Sequence, residues 1–166
     1  MEVDGVKFME FRGQPWFVKR VKTSLSDCPT CGRPNNIYTR KLSTSMAAGL
    51  IRLYRLHEDH PDQTYFHVKK FDLEGARGEF GVLSFWDLVE EAPNDDPEKK
   101  SSGLWRLTDF GREFVLGKTR VPKYVIIKWG STFMGYCGEA VGIRSSLEYG
   151  NRFNYAELMG FKKEKV

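Results

Sequence analysis

Leu83-Ser84-Phe85-Trp86-Asp87-Leu88-Val89-Glu90-Glu91, a polar run from Pro93 to Ser102, and Trp105-Arg106-Leu107-Thr108-Asp109-Phe110-Gly111-Arg112-Glu113-Phe114-Val115 are the stretches that decide the fold. Val82, Leu83, Phe85, Trp86 and Val89 fall at helical spacing and predict a helix with one apolar face. Glu90 to Ser102 carries two prolines and mixed charge, the composition of an exposed loop. Leu104-Trp105-Arg106-Leu107 predicts a strand. Thr108 can cap a helix over Asp109–Leu116, with Gly117 as its stop signal. A capped helix starting at the end of a strand, after a polar ribbon, is how a two-stranded wing folds back onto a three-helix core. Leu88 and Val89 would then fill the space under the wing, and Gly111 would permit close approach of the last helix to a neighbour.

Working outward, Met46, Leu50, Leu53, Tyr54 and His57 lie three and four residues apart and predict a helix. Ser43, Thr44 or Ser45 can cap it, and His60-Pro61 ends it, because the residue before proline avoids helical geometry. Tyr65–Val68 reads as a short strand. Gly75, Gly78 and Gly81 break the first half of Phe71–Glu90, which predicts a short helix, a turn and a second helix. At the N-terminus, Val6–Phe11, Trp16–Val21 and Ile37–Lys41 read as strands, the first two separated by Gly13-Gln14-Pro15. At the other end, Tyr124–Trp129, Gly130-Ser131 and Thr132–Tyr136 predict a hairpin, and Phe153–Met159 a short closing helix.

The stretch Phe80 to Val115 resembles the second half of winged-helix domains of the MarR and PadR type. Those run a recognition helix into a phrase like L-x-x-x-G-L-I-E, then a charged wing, then a strand and L-T-x-x-G-R-x-F. The likeness covers about a fifth of the chain closely and reaches loosely back to Ser43. The whole chain also resembles a group of bacteriophage-encoded proteins that pair a CPxCG segment with such a core, a resemblance that carries no activity with it. The expected fold class is α+β: a winged helix-turn-helix core with an N-terminal β/zinc-ribbon-like segment and a C-terminal β-hairpin. The expected divisions are 1–42 (β segment with the CxxC knuckle), 43–117 (winged-helix core) and 118–166 (hairpin and short helix).

The resemblance implies DNA binding, with a helix in the major groove and the wing on phosphate or the minor groove. Arg77 and Ser84 are the groups in the recognition segment that can reach bases, and Lys99 and Lys100 are the wing's cations. The same segments hold Glu74, Glu79, Asp95, Asp96 and Glu98, so a second expectation stands beside the first. In it the core is a scaffold for protein binding, for instance a phage factor that inhibits or redirects a host or defence complex. The MarR likeness also implies a homodimer, although no heptad pattern accompanies it.

Net charge is only +4, but Met1–Leu56 holds ten Lys/Arg against four Asp/Glu. Arg40, Lys41, Arg52 and Arg55 flank or lie on the first predicted helix, and Lys19, Arg20 and Lys22 precede the cysteine pair. Trp16, Phe17 and Tyr38 interleave aromatics with these cations. Stacking with phosphate neutralisation holds single strands, whereas the alternative is that these rings are core.

Cys28-Pro29-Thr30-Cys31-Gly32 resembles one knuckle of a zinc ribbon. A full ribbon needs a second pair, which the chain lacks. Cys137, His57 and His60 are the further candidate ligands for zinc, with His67 behind them. The competing readings are a knuckle that keeps its turn without metal, and a redox pair; His57 on an apolar helix face is also a natural core histidine. No P-loop, GxSxG, HExxH or Rossmann fingerprint occurs, so the chain reads as a non-enzyme. Met1-Glu2-Val3-Asp4 lacks the features of a signal peptide, no apolar run is long enough to cross a bilayer, and three cysteines do not make a secreted disulfide framework. The expected setting is the cytoplasm.

Overall fold

Ser43 begins the longest helix, α1 (Thr44–Asp59), as its N-cap: it is extended (φ −82°, ψ 164°) and its hydroxyl accepts from the Met46 amide at 3.2 Å. His60, just before Pro61, closes it with its N–H on the Leu56 carbonyl. The computed structural model describes residues 2–3, 6–17, 24–27, 30–31, 34–71, 73, 80–99, 102–128, 132–148 and 155–160. The architecture is mixed α+β. The backbone divides into two units, Met1–Leu42 with Val121–Val141, and Ser43–Arg120 with Gly142–Val166.

The first unit is built from strands. They are β1 (Glu2–Val3), β2 (Val6–Phe11), β3 (Gln14–Phe17), β4 (Ser24–Asp27) and β5 (Pro34–Lys41), joined by β9 (Val121–Lys128) and β10 (Thr132–Val141). Their order in the sheet is β1-β2-β3-β10-β9-β5-β4. Among these described strands β3 and β10 run parallel, and the other neighbours are antiparallel. Arg12 and Gly13 both have positive φ (51° and 80°), the two-residue turn that matches strand twist, and so Phe11 faces Gln14. The expected hairpin is present as β9 and β10, paired from Lys128 and Thr132 to Val121 and Val141. The expected strand through Val21 is described only as far as Phe17.

The second unit surrounds α1, whose residues Met46, Ala47, Ala48, Gly49, Leu50 and Ile51 are all buried together with Leu53. A helix buried on nearly every side is a central element rather than an amphipathic surface one. Around it come β6 (Phe66–His67), a 3₁₀ helix (Phe80–Trp86), β7 (Val89–Glu91), β8 (Leu104–Leu107), α2 (Asp109–Val115), α3 (Ile143–Glu148) and α4 (Tyr155–Met159). The three strands form an antiparallel sheet in the order β6-β8-β7. Phe66, Phe80, Leu83, Trp86, Leu88 and Phe114 are at most 2 % exposed. Each such side chain contributes about 1.5–3 kcal/mol by leaving water.

The second half of Phe71–Glu90 departs from expectation. The apolar run over 80–86 winds as a 3₁₀ helix, and Val89, assigned by its spacing to a helical face, opens strand β7 instead. Asp87 is the cause: its φ of 57° is left-handed, which ends the helix before Val89 is reached. The Thr108 hydroxyl fixes that turn by donating to the Asp87 carbonyl at 2.6 Å, and the Thr108 amide donates to Leu88. The short helix expected just before it lies largely outside the described residues.

Thr108 also caps α2, accepting from the Gly111 amide at 2.9 Å. Gly111 packs directly on the Leu88 backbone: a Cβ there would run into the Leu88 carbonyl oxygen and stand 2.9 Å from its carbonyl carbon. The glycine is thus required by close approach. Gly117, at φ 78°, follows the helix end. Strand β4 and helix α3 lie in stretches without strong periodicity, so the sequence does not announce them.

Candidate nucleic-acid interface

In the first unit, strand register sets the site. Residues directly opposite across neighbouring strands share a face. Met9 pairs with Trp16, Trp16 with Tyr136, Tyr136 with Val125, and Val125 with Arg40. One row across five strands therefore runs thioether, indole, phenol, valine, guanidinium. The next row places Phe17, Cys137, Tyr124 and Lys41 on the opposite face.

Around the first row the rings pack edge to face. Phe11 meets Tyr136 at 5.0 Å and Trp16 at 6.2 Å, and Phe133 meets Tyr136 at 5.0 Å. The Trp16 indole N–H donates to the Gly138 carbonyl at 2.8 Å, so its polar edge is satisfied. Tyr136 is 3 % exposed, Phe11, Trp16, Phe17, Tyr38 and Phe133 are half-buried, and Met9 is 48 % exposed. Of the aromatics singled out from the sequence, Trp16 and Tyr38 share this face and Phe17 takes the other. Phe11 meets Trp16 across the short β2–β3 hairpin, whereas Phe133 and Tyr136 join them only through pairing with the distant strand β10, for which the sequence carries no local signal.

Charge is distributed unevenly. The residues of the first unit include ten Lys/Arg against five Asp/Glu, a net +5, while those of the second include sixteen against seventeen, a net −1. Among the described cations of the first unit, Arg12 and Lys41 are exposed and Arg40, Lys123 and Lys128 half-buried.

The candidate DNA-contacting residues of the second unit fare differently. Arg77 and Lys100 lie outside the described residues, as do Lys19, Arg20 and Lys22 of the first unit. Ser84 is exposed on the 3₁₀ helix, with its hydroxyl donating to the Gly81 carbonyl at 2.7 Å. Lys99 is exposed in the loop between β7 and β8, beside exposed Asp95, Asp96 and Glu98. That loop is shaped by its own side chains: the Asn94 amide donates to the Lys99 carbonyl at 2.6 Å, and the Ser102 amide and hydroxyl close its base on Glu91 and Ala92. Arg52 and Arg55 are half-buried on α1, and Arg55 donates to the Leu158 carbonyl at 3.1 Å.

Comparison of the chain with protein-family models, with curated proteins and with solved structures gave no match.

For the candidate zinc ligands the geometry is specific. Cys28 lies outside the described residues. Cys31 is exposed, and Cys137 is wholly buried in β10. Both belong to the first unit, whereas His57 and His60 belong to the second. His57 Nε2 accepts from the Leu107 amide at 3.1 Å, and its ring stands edge-on to Phe66 at 5.0 Å. Burial, then the Arg112 and Arg106 guanidiniums, hold its pKa below the ordinary imidazole value, with Glu58 pulling weakly the other way. His60 is exposed at the end of α1, its ring tilted against Phe66. His67 uses Nδ1 to accept from the Lys69 amide at 3.3 Å. Among the described residues no three His, Cys, Asp or Glu side chains gather where one metal ion could reach them, so the described part of this set does not fit a zinc centre. Among the described residues, too, no helix is long and apolar enough to cross a membrane.

Proposed function

We propose that the chain is a nucleic-acid-binding protein with a regulatory role, whose second unit is a winged helix and whose sheet unit supplies the main phosphate-neutralising surface. The carrying observation is the partition of charge: net +5 on the sheet unit against net −1 on the other. Polyanion binding is driven by cations that displace condensed counterions, so the basic unit is the stronger electrostatic footprint. The winged-helix reading rests on the order of elements: helix, strand, 3₁₀ helix, strand, long polar loop, strand, capped helix, with strand order β6-β8-β7. In the wing position the loop's sequence sets Asp95, Asp96 and Glu98 against Lys99 and Lys100. Such a loop is a poor phosphate clamp, so the nucleic acid is bound chiefly by the other unit.

That acidic loop also favours a second reading, in which the winged helix docks on a protein with a basic surface. Fluorescence anisotropy of labelled duplex and single-stranded DNA at two salt concentrations separates the two. Nucleic-acid binding predicts affinity that falls steeply between about 50 and 200 mM salt. Reversing Arg12 and Lys41 to Glu should reduce the salt slope by roughly one for each phosphate no longer neutralised. No binding at the lower salt overturns the first reading and leaves the protein-docking one.

A further inference from the structure

The face of the sheet unit that carries Met9, Trp16, Tyr136, Val125 and Arg40 in one row has more rings beside that row. Phe133 pairs with Ile127, and Ile127 with Tyr38. Ile127 is two residues from Val125, so this second row lies on the same face. Phe11 is two residues from Met9 on β2 and joins it. In the middle, Tyr136, Val125 and Ile127 are buried and form core. Toward β2 the face stays partly in water: Phe11, Trp16 and Phe133 are half-buried and Met9 is 48 % exposed. Among the described residues three large hydrophobics are exposed, and two of them, Met9 and Met134, lie on strands that carry these rings. Buried Tyr136 props the cluster, since Phe11 and Phe133 both meet it edge to face at 5.0 Å.

The charge around these rings is of one sign. Arg40 is the charged member of the two rows. Arg12, exposed at the β2–β3 turn, follows Phe11 at the opposite corner. Glu10, the acidic residue of β2, pairs with Pro15 and takes the other face. The row from Met9 to Arg40 crosses five strands, about 19 Å at ordinary strand spacing. A surface of rings and thioether bordered by guanidiniums is complementary to a partner that is anionic and also offers flat apolar faces. A duplex offers phosphates but keeps its base faces stacked inside, whereas an unpaired strand offers both. Thymine adds a methyl group suited to apolar contact, which uracil lacks.

We propose that Phe11, Trp16 and Phe133, with Met9 beside them, form a platform on which bases of an unpaired DNA strand stack, while Arg12 and Arg40 hold its phosphates. This rests on the nucleic-acid reading above and names the substrate of the sheet unit.

The test titrates the full chain by anisotropy with four labelled probes of one length, about fifteen nucleotides. They are a thymidine strand, a strand with the same phosphates but no bases, a DNA duplex and a uridine RNA strand. Stacking of a single base amounts to roughly tenfold in affinity, so the thymidine strand should bind at least about tenfold more tightly than the baseless one. At about 200 mM salt, where phosphate contacts are weakened, it should also outbind the duplex and the uridine strand. Phe11→Leu and Phe133→Leu keep an apolar side chain but lose the ring. Each should weaken thymidine binding by roughly three- to tenfold and leave the baseless strand unchanged. Trp16 is kept, because its N–H holds the Gly138 carbonyl. Equal affinity of the unaltered chain for the thymidine and baseless strands, or a duplex bound as tightly as the thymidine strand at the higher salt, overturns the platform and leaves the nucleic-acid reading intact. A uridine strand bound as tightly as the thymidine one overturns the assignment to DNA. Absence of binding by all four probes at low salt removes both the platform and the reading it rests on.

Discussion

Gly111→Ala adds one methyl group where α2 rests on the turn before β7, and the outcome can be worked from the contacts. The new Cβ would collide with the Leu88 carbonyl oxygen, lie 2.9 Å from the Leu88 carbonyl carbon and 3.1 Å from Leu107 Cδ1. Two of these atoms are backbone, and they cannot swing aside as a side chain can. The same backbone is pinned by Thr108, which donates from its amide to Leu88 and from its hydroxyl to Asp87. To admit the methyl, α2 must shift away and strain or lose those bonds. Overpacking a tight site costs about 1–3 kcal/mol, and loosening a cap adds about 1 kcal/mol. Alanine returns about 1 kcal/mol through its better helix propensity. The net is a destabilisation of about 1–3 kcal/mol, which for a chain of this size lowers Tm by roughly 2–12 °C. Thermal unfolding followed by far-ultraviolet circular dichroism reads it directly. A variant melting at or above the parent temperature would mean that helix propensity dominates and that α2 does not rest on Leu88 as described.

Two further outcomes follow from neighbouring contacts. Thr108→Ala removes both the α2 cap and the bond to Asp87 and should cost about 1–2 kcal/mol in urea unfolding, while Thr108→Ser should stay within a few tenths, since the hydroxyl is what matters. His57 is held neutral in the fold, so its pKa is lowered on folding; its stabilisation is complete above the unfolded value of 6.5 and is lost as pH falls below it toward the folded value. Melting temperatures across that acidic range should therefore drop for the parent chain, and the slope should shrink in His57→Gln, which keeps an acceptor for the Leu107 amide but cannot take up a proton. Equal slopes in the two proteins would show that other groups carry the acid sensitivity.

The polar loop between β7 and β8 is held mainly at its base. Arg106 and Glu90 pair across β8 and β7 in full view of solvent, where such a bond contributes little. The Ser102 contacts with Glu91 and Ala92 do more to shape the loop, because they close its base by backbone-directed hydrogen bonds. The loop's stem is therefore fixed at Ser102, Glu91 and Ala92.

Local chemistry determined the elements that the sequence announced. Ser43 and His60-Pro61 bound α1, and Thr108 and Gly117 bound α2, because caps and stops act within one turn of the residues that make them. The β-branched apolar run from Tyr124 declared itself as a strand for the same reason, and it lies within β9. What the strands pair with is a different matter. Trp16 finds Tyr136, and Arg40 finds Val125, only when segments far apart in the chain settle into one register. That choice is made by the summed fit of whole strands and leaves no mark at any single residue. The 3₁₀ helix in place of a regular one was likewise decided by a tertiary constraint, Thr108 holding the Asp87 turn, which overrode an apolar spacing that by itself reads as α. The same holds for function: the sequence alone revealed basic residues, aromatic rings and a wing-like phrase, but only the fold decided that Trp16 shares a sheet face with Arg40 while Phe17 takes the other, that His57 spends its acceptor on Leu107, and that Arg55 donates to Leu158, because each depends on contacts between residues the chain separates.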